Sequence, residues 1–174
     1  MIVVILVYGL IAGLIVAVPM VASMLMLSEA PQNAALYGYT LMILALTAVF
    51  LGVKHYRDKV GGGVIRFWPA LVVGLGIGAV ASAVYAIGWE ISLAFTGFDY
   101  GAAVTTMMVD AARARGASDE ELAKVTADAA AFAKTYANPL YRLPITFVEM
   151  FPIGVLIALV SAALLRNNRF LPAR

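Results

Sequence analysis

Glu90 and Glu149 are the only charged residues inside two otherwise apolar runs, and Arg142 stands at the edge of the second of them. A carboxylate within a hydrocarbon span costs roughly 2.5–3.5 kcal/mol at mid-depth on insertion scales, which makes it a functional candidate by default. If two such carboxylates share a polar cavity, they repel, and one of them holds a proton or both attend a cation. Arg142 is the natural counter-charge. Its alternative partner is Asp99, at the surface. The plainer reading leaves each glutamate solvated near the headgroups, in a structural or interfacial role. Glu90, Glu149 and Arg142 are therefore the candidate polar membrane site.

Other chemistries are limited by what the chain lacks. It contains no cysteine, so disulfides, thiolate metal sites and cysteine nucleophiles are excluded. The single histidine, His55, supports neither a histidine-rich metal centre nor a Ser-His-Asp arrangement. No nucleophile, metal set or phosphate cradle stands out, and the expectation is a protein that is not an enzyme and carries no cofactor or metal. The Gly74 to Gly78 segment is glycine-rich but lacks the preceding strand of a nucleotide loop. A net charge of +2 is too small to argue for nucleic acid.

A second cluster is basic: Lys54, His55, Tyr56, Arg57 and Lys59. Such a group either attracts anionic lipid headgroups or simply fixes topology.

The elements that must position these residues are set by hydropathy. Hydrophobic residues make up 63% of the 174 residues and charged residues 13%, against roughly 45–50% and 25% in soluble domains. Mean hydropathy is +0.94. Four continuous apolar runs, at about 2–27, 34–53, 67–95 and 143–165, are each long enough to cross about 30 Å of hydrocarbon as a helix. A membrane strand would alternate instead. The first run lacks a basic leader and is longer than a signal core, so it reads as a retained span. Glu29, Pro31, Gln32 and Asn33 form a short polar turn after it. The expected fold is an all-α integral membrane domain over 1–174, with four spans.

Between the third and fourth spans, residues 97–142 read as an extracytoplasmic helical hairpin. Ser118 and Glu121 match a capping box that opens a helix to about Tyr136. Glu120, Lys124 and Asp128 are spaced for surface pairs on that helix. A shorter helix is expected over Ala102 to Ala114, with Gly116 as its stop. This segment caps the bundle or docks a partner. Lysine and arginine follow the second span and the fourth and are absent from the first turn, which places both termini and the basic loop in the cytoplasm. Tyr37, Tyr39, Phe67, Trp68 and Tyr141 mark the interfaces. Gly9 and Gly13, and Gly74 and Gly78, recur every four residues and let helices approach closely.

Several stretches taken in order resemble a known family. They are Tyr8 to Gly13, Gly38-Tyr39, Phe50 to Asp58, Gly62-Gly63 with Phe67-Trp68, Tyr85 to Glu90, and Thr146 to Gly154. Together they resemble the domain of unknown function 4199 (DUF4199) family of bacterial inner-membrane proteins. The resemblance implies four spans with a variable segment before the last, and it brings no activity and no cofactor. It makes Lys54, Tyr56, Arg57, Asp58, Glu90 and Glu149 part of a shared pattern. The leading expectation is an oligomeric scaffold or accessory subunit of the cell envelope, in contact with membrane lipid and either homo-oligomeric or paired with an envelope protein. The alternatives are permeation of protons, cations or small solutes, and lipid binding or handling.

Overall fold

A computed structural model describes residues 1–26 and 34–173. Among these the regular elements are all helices: α1 (Ile2–Met26), α2 (Ala34–Lys59), α3 (Phe67–Thr96), α4 (Tyr100–Ala114), α5 (Asp119–Tyr136) and α6 (Pro139–Leu165). The expected turn at Glu29, Pro31, Gln32 and Asn33 lies outside the described residues.

Four of the helices, α1, α2, α3 and α6, are long and apolar enough to cross a membrane. They are consistent with a multi-pass membrane protein. Two boundaries differ from the sequence reading. Helix α2 does not stop at Val53 but continues through the basic cluster to Lys59. An i, i+4 pair from Lys54 to Asp58 (2.5 Å) supports the extra turn and a half. Helix α6 starts at Pro139 rather than Leu143, because Asn138 caps it with its side chain and Pro139 takes the first turn, where its missing N–H is harmless. Arg142 is therefore a helical residue.

Helix α3 is the hub, packed between α1 and α6, with α2 touching all three. Lipid offers no hydrophobic drive for helix pairing, so close backbone approach has to supply the contact. The expected small residues do this. A Cβ at Gly9 or Gly13 would stand 2.5 Å from the Cβ of Val80 or Val84, so these two glycines seat α1 on α3. On the other flank Gly74 faces Ala158, and Gly78 faces Gly154. The buried core runs through Leu46, Val49, Val53, Ile77 and Met150. Outward-facing aromatics include Tyr37, Tyr39, Trp68 and Tyr141, all exposed, at the helix ends where interfacial rings belong.

Helices α4 and α5 pack on one another, Gly101 against Ala133. Ser118 accepts a hydrogen bond from the Glu121 N–H, one half of the expected capping box, while the Glu121 carboxylate turns to Arg115 instead of the Ser118 N–H; Gly116 ends the preceding turn at φ 77°. The apolar face of α5 turns inward at Ala129 and Tyr136. The expected Lys124 pairs do not form; Arg115 reaches Glu121 instead, at 2.8 Å. Exposed lysines gain little from such pairing and stay solvated.

Candidate functional site: the Glu90–Arg142 clasp

The end of α3, the start of α4, the end of α5 and the start of α6 converge on one cluster. Helix α3 stops at Gly97, whose left-handed backbone (φ 63°) lets its N–H close back on the Leu93 carbonyl. Two residues later Asp99 accepts from the Ala102 N–H at 2.9 Å and opens α4. Asn138 opens α6 in the same way through the Leu140 N–H. These short caps leave no slack between the elements, and they place Arg142 opposite Glu90.

The pair is bidentate. Arg142 donates through Nε to Glu90 Oε1 at 2.6 Å and through Nη2 to Oε2 at 2.5 Å. Such fork-on-carboxylate geometry fixes direction as well as charge. Nη1 donates to the Tyr136 carbonyl oxygen at 3.3 Å, and the guanidinium lies 5.6 Å from the centre of the Tyr136 ring. Arg142 and Glu90 side chains remain 14% and 23% exposed, so the pair is shielded but not sealed. Asp99 is not its partner, which corrects that alternative: the carboxylate of Asp99 is turned to the α4 cap.

Aromatic rings back the pair. Trp89 donates from Nε1 to the Tyr136 hydroxyl oxygen at 2.8 Å. Tyr100 packs edge-on against Trp89 (5.3 Å between centroids) and at a tilt against Tyr136 (4.9 Å). Burial pushes the Tyr136 hydroxyl above the usual tyrosine range, partly offset by its Trp89 bond. Burial, followed by the Glu149 charge, does the same to Tyr100. Beside the pair lies a cavity of about 530 Å³ whose wall includes Glu90, Arg142, Asp99, Tyr100 and Tyr136.

Glu149 is placed differently. It does not line that cavity, and it is exposed along α6, where it accepts one hydrogen bond from the buried Tyr85 hydroxyl at 3.3 Å. Of the three residues expected to share a site, Glu90 and Arg142 come together and Glu149 pairs elsewhere. Tyr85, Trp89, Tyr100 and Tyr136 escaped the sequence reading as site residues. The i, i+4 spacing of Tyr85 and Trp89, which puts two polar-tipped rings on one helix face, was the available signal.

A family model described as Protein of unknown function (DUF4199) matches residues 7–167, nearly the whole chain. The chain belongs to the DUF4199 family. No curated protein and no solved structure matches it.

A second polar cluster of this DUF4199 chain lies at the opposite end of the helices. Arg57 is entirely buried. It donates to Asp58 Oδ1 at 2.7 Å, to the Phe170 carbonyl at 2.9 Å and to the Leu171 carbonyl. The C-terminal segment is thereby folded back on α2, with Phe170 edge-on against Phe50. This corrects the grouping of Arg57 with the headgroup-facing residues: its donors are turned inward to Asp58 and to two carbonyls of the C-terminal segment. Lys54, His55 and Lys59 line a hollow of about 250 Å³ with Tyr8, Leu51 and Asp58, and Tyr56 packs against the core. Among the described residues no three His, Cys, Asp or Glu side chains gather as metal ligands.

Proposed function

We propose that this DUF4199 protein is a multi-pass protein of the bacterial inner membrane that acts as an oligomeric scaffold or accessory subunit of the cell envelope. Both termini and the basic α2–α3 turn face the cytoplasm, as the lysine and arginine bias favours. Helices α4 and α5 form an extracytoplasmic hairpin over the bundle. The observation that carries this reading is the Glu90–Arg142 clasp: the two charges neutralise one another and tie α3 to α6 beneath α4 and α5. Charges committed to each other hold a framework together and are poorly suited to relaying an ion. The apolar outer faces of α1 and α6 give ample surface for lipid or a neighbouring subunit.

Native mass spectrometry from mild detergent tests it. The expected result is a defined oligomer, or a co-purifying envelope protein, that persists when Glu149 is changed to Gln. A monodisperse monomer without a partner would sink the reading.

One observation favours permeation as the second reading. Glu149 is exposed on an apolar helix with a single bond from Tyr85, an expensive position in lipid that a proton or cation pathway would explain. Ion flux in liposomes, lost on Glu149→Gln with assembly intact, would establish it in place of the scaffold.

A further inference from the structure

The cavity beside the clasp holds acceptors that the clasp leaves unused. Among the described residues three charged ones stand on its wall, Glu90, Asp99 and Arg142, so one negative charge is in excess there. Arg142 is committed to Glu90 and to the Tyr136 carbonyl. Asp99 is exposed and gives one oxygen to the Ala102 N–H; its second oxygen has no hydrogen-bond partner among the described residues. The positive poles of α4 and α6 are already capped by Asp99 and Asn138, whereas the C-terminal end of the 30-residue α3 adds partial negative charge at Gly97.

Three aromatic residues, Phe98, Tyr100 and Tyr136, also stand on the wall, and the rest of it is aliphatic or glycine. Ring faces attract cations, and carboxylates beside rings are the usual setting for organic ammonium groups. The volume, about 530 Å³, lies within the roughly 300–1,000 Å³ of small-molecule sites and exceeds that of a bare ammonium headgroup. The cavity also opens at the shared end of α3 and α6, two of the apolar helices.

We propose that this cavity binds an organic ammonium group, held between the free Asp99 oxygen, the outer edge of Glu90 and the Tyr100 and Phe98 rings. An alkylammonium can come from the headgroup of an amine-bearing lipid or from a free amine, and both present the same cation.

Trp89 is a built-in reporter, since it touches Tyr100 and Tyr136 behind the cavity wall. The chain has two tryptophans, and the other, Trp68, is exposed at the far end of α3. In a Trp68→Phe background, Trp89 emission is followed while purified protein is titrated with ethanolamine or choline, against potassium chloride at matched concentration. The same protein is then compared in phosphatidylethanolamine and phosphatidylglycerol nanodiscs.

Saturable change with the soluble amines assigns a free amine. Change confined to phosphatidylethanolamine assigns the lipid headgroup. In either case Asp99→Asn is expected to weaken binding by roughly tenfold, about 1.4 kcal/mol, with helicity unchanged, because asparagine keeps the α4 cap and loses only the charge. Tyr100→Leu gives a second loss through the ring. No response to any ammonium, or a response that both variants leave intact, overturns the proposal.

Discussion

The two ends of this helical bundle use the same chemistry to opposite effect. At one end Arg57 meets Asp58 and two carbonyls of the C-terminal segment with no exposure at all. At the other, Arg142 meets Glu90 and one carbonyl but keeps an accessible edge beside a cavity. An enclosed guanidinium with every neighbour bonded can only hold things in place. A shielded pair beside a carboxylate that is only half used by a helix cap leaves an acceptor open. The difference shows that an arginine–carboxylate pair is not itself a sign of function; what surrounds its unused atoms decides.

The comparison breaks most visibly at Arg57. Removing one partner of a buried pair typically costs about 3–5 kcal/mol, and Arg57→Ala also removes the bonds that hold the Phe170 and Leu171 carbonyls to α2. We expect a loss of that order in unfolding measurements in detergent, with the C-terminal segment becoming accessible to carboxypeptidase. Arg57→Lys should not restore it, because one ammonium cannot reproduce the planar fork.

The open end should be weaker. A double-mutant cycle of Glu90→Gln and Arg142→Gln is expected to give a coupling of about 1–3 kcal/mol, smaller than the Arg57 effect. A coupling equal to or above it would remove the distinction between the two ends.

Smaller again is the α4 cap. Asp99→Ala should cost about 1 kcal/mol and Asp99→Asn only a small fraction of that, read by thermal unfolding. The smallest effect separates the ends by pH. Tyr100 and Tyr136 have folded values raised by burial. Their contribution is complete below the unfolded value of about 10 and is lost as pH rises through the higher folded one. Stability that falls above that pH in wild type, and falls less in a Tyr136→Phe variant, places this loss at the open end.

Much of the framework was legible in the chain. The N-cap at Ser118, the stop at Gly116 and the four apolar runs became helix ends in nearly the expected places, because each is a local property of backbone and solvent. The errors were local too, at Lys54 to Lys59 and at Pro139 to Arg142. There a charged or proline-containing stretch reads as loop until a side-chain pair or a cap extends the helix. The candidate site was only partly legible. Glu90 and Arg142 were recognisable by the cost of charge beside lipid, whereas Arg57 looked like one more surface cation.

Composition and hydropathy alone determined that this chain is helical, that four of its helices suit a bilayer, and that charge would matter wherever it fell inside them. The number of apolar residues in a row and the absence of alternation suffice for that, since lipid accepts only backbone that bonds itself. Tertiary structure decided which charge meets which. Fifty-two residues separate Glu90 from Arg142, and 113 separate Arg57 from Phe170. Those meetings depend on glycine-sized gaps between helices and on caps that fix where each helix begins, and neither the distance nor the angle of such a contact is written in the spacing of the residues that make it.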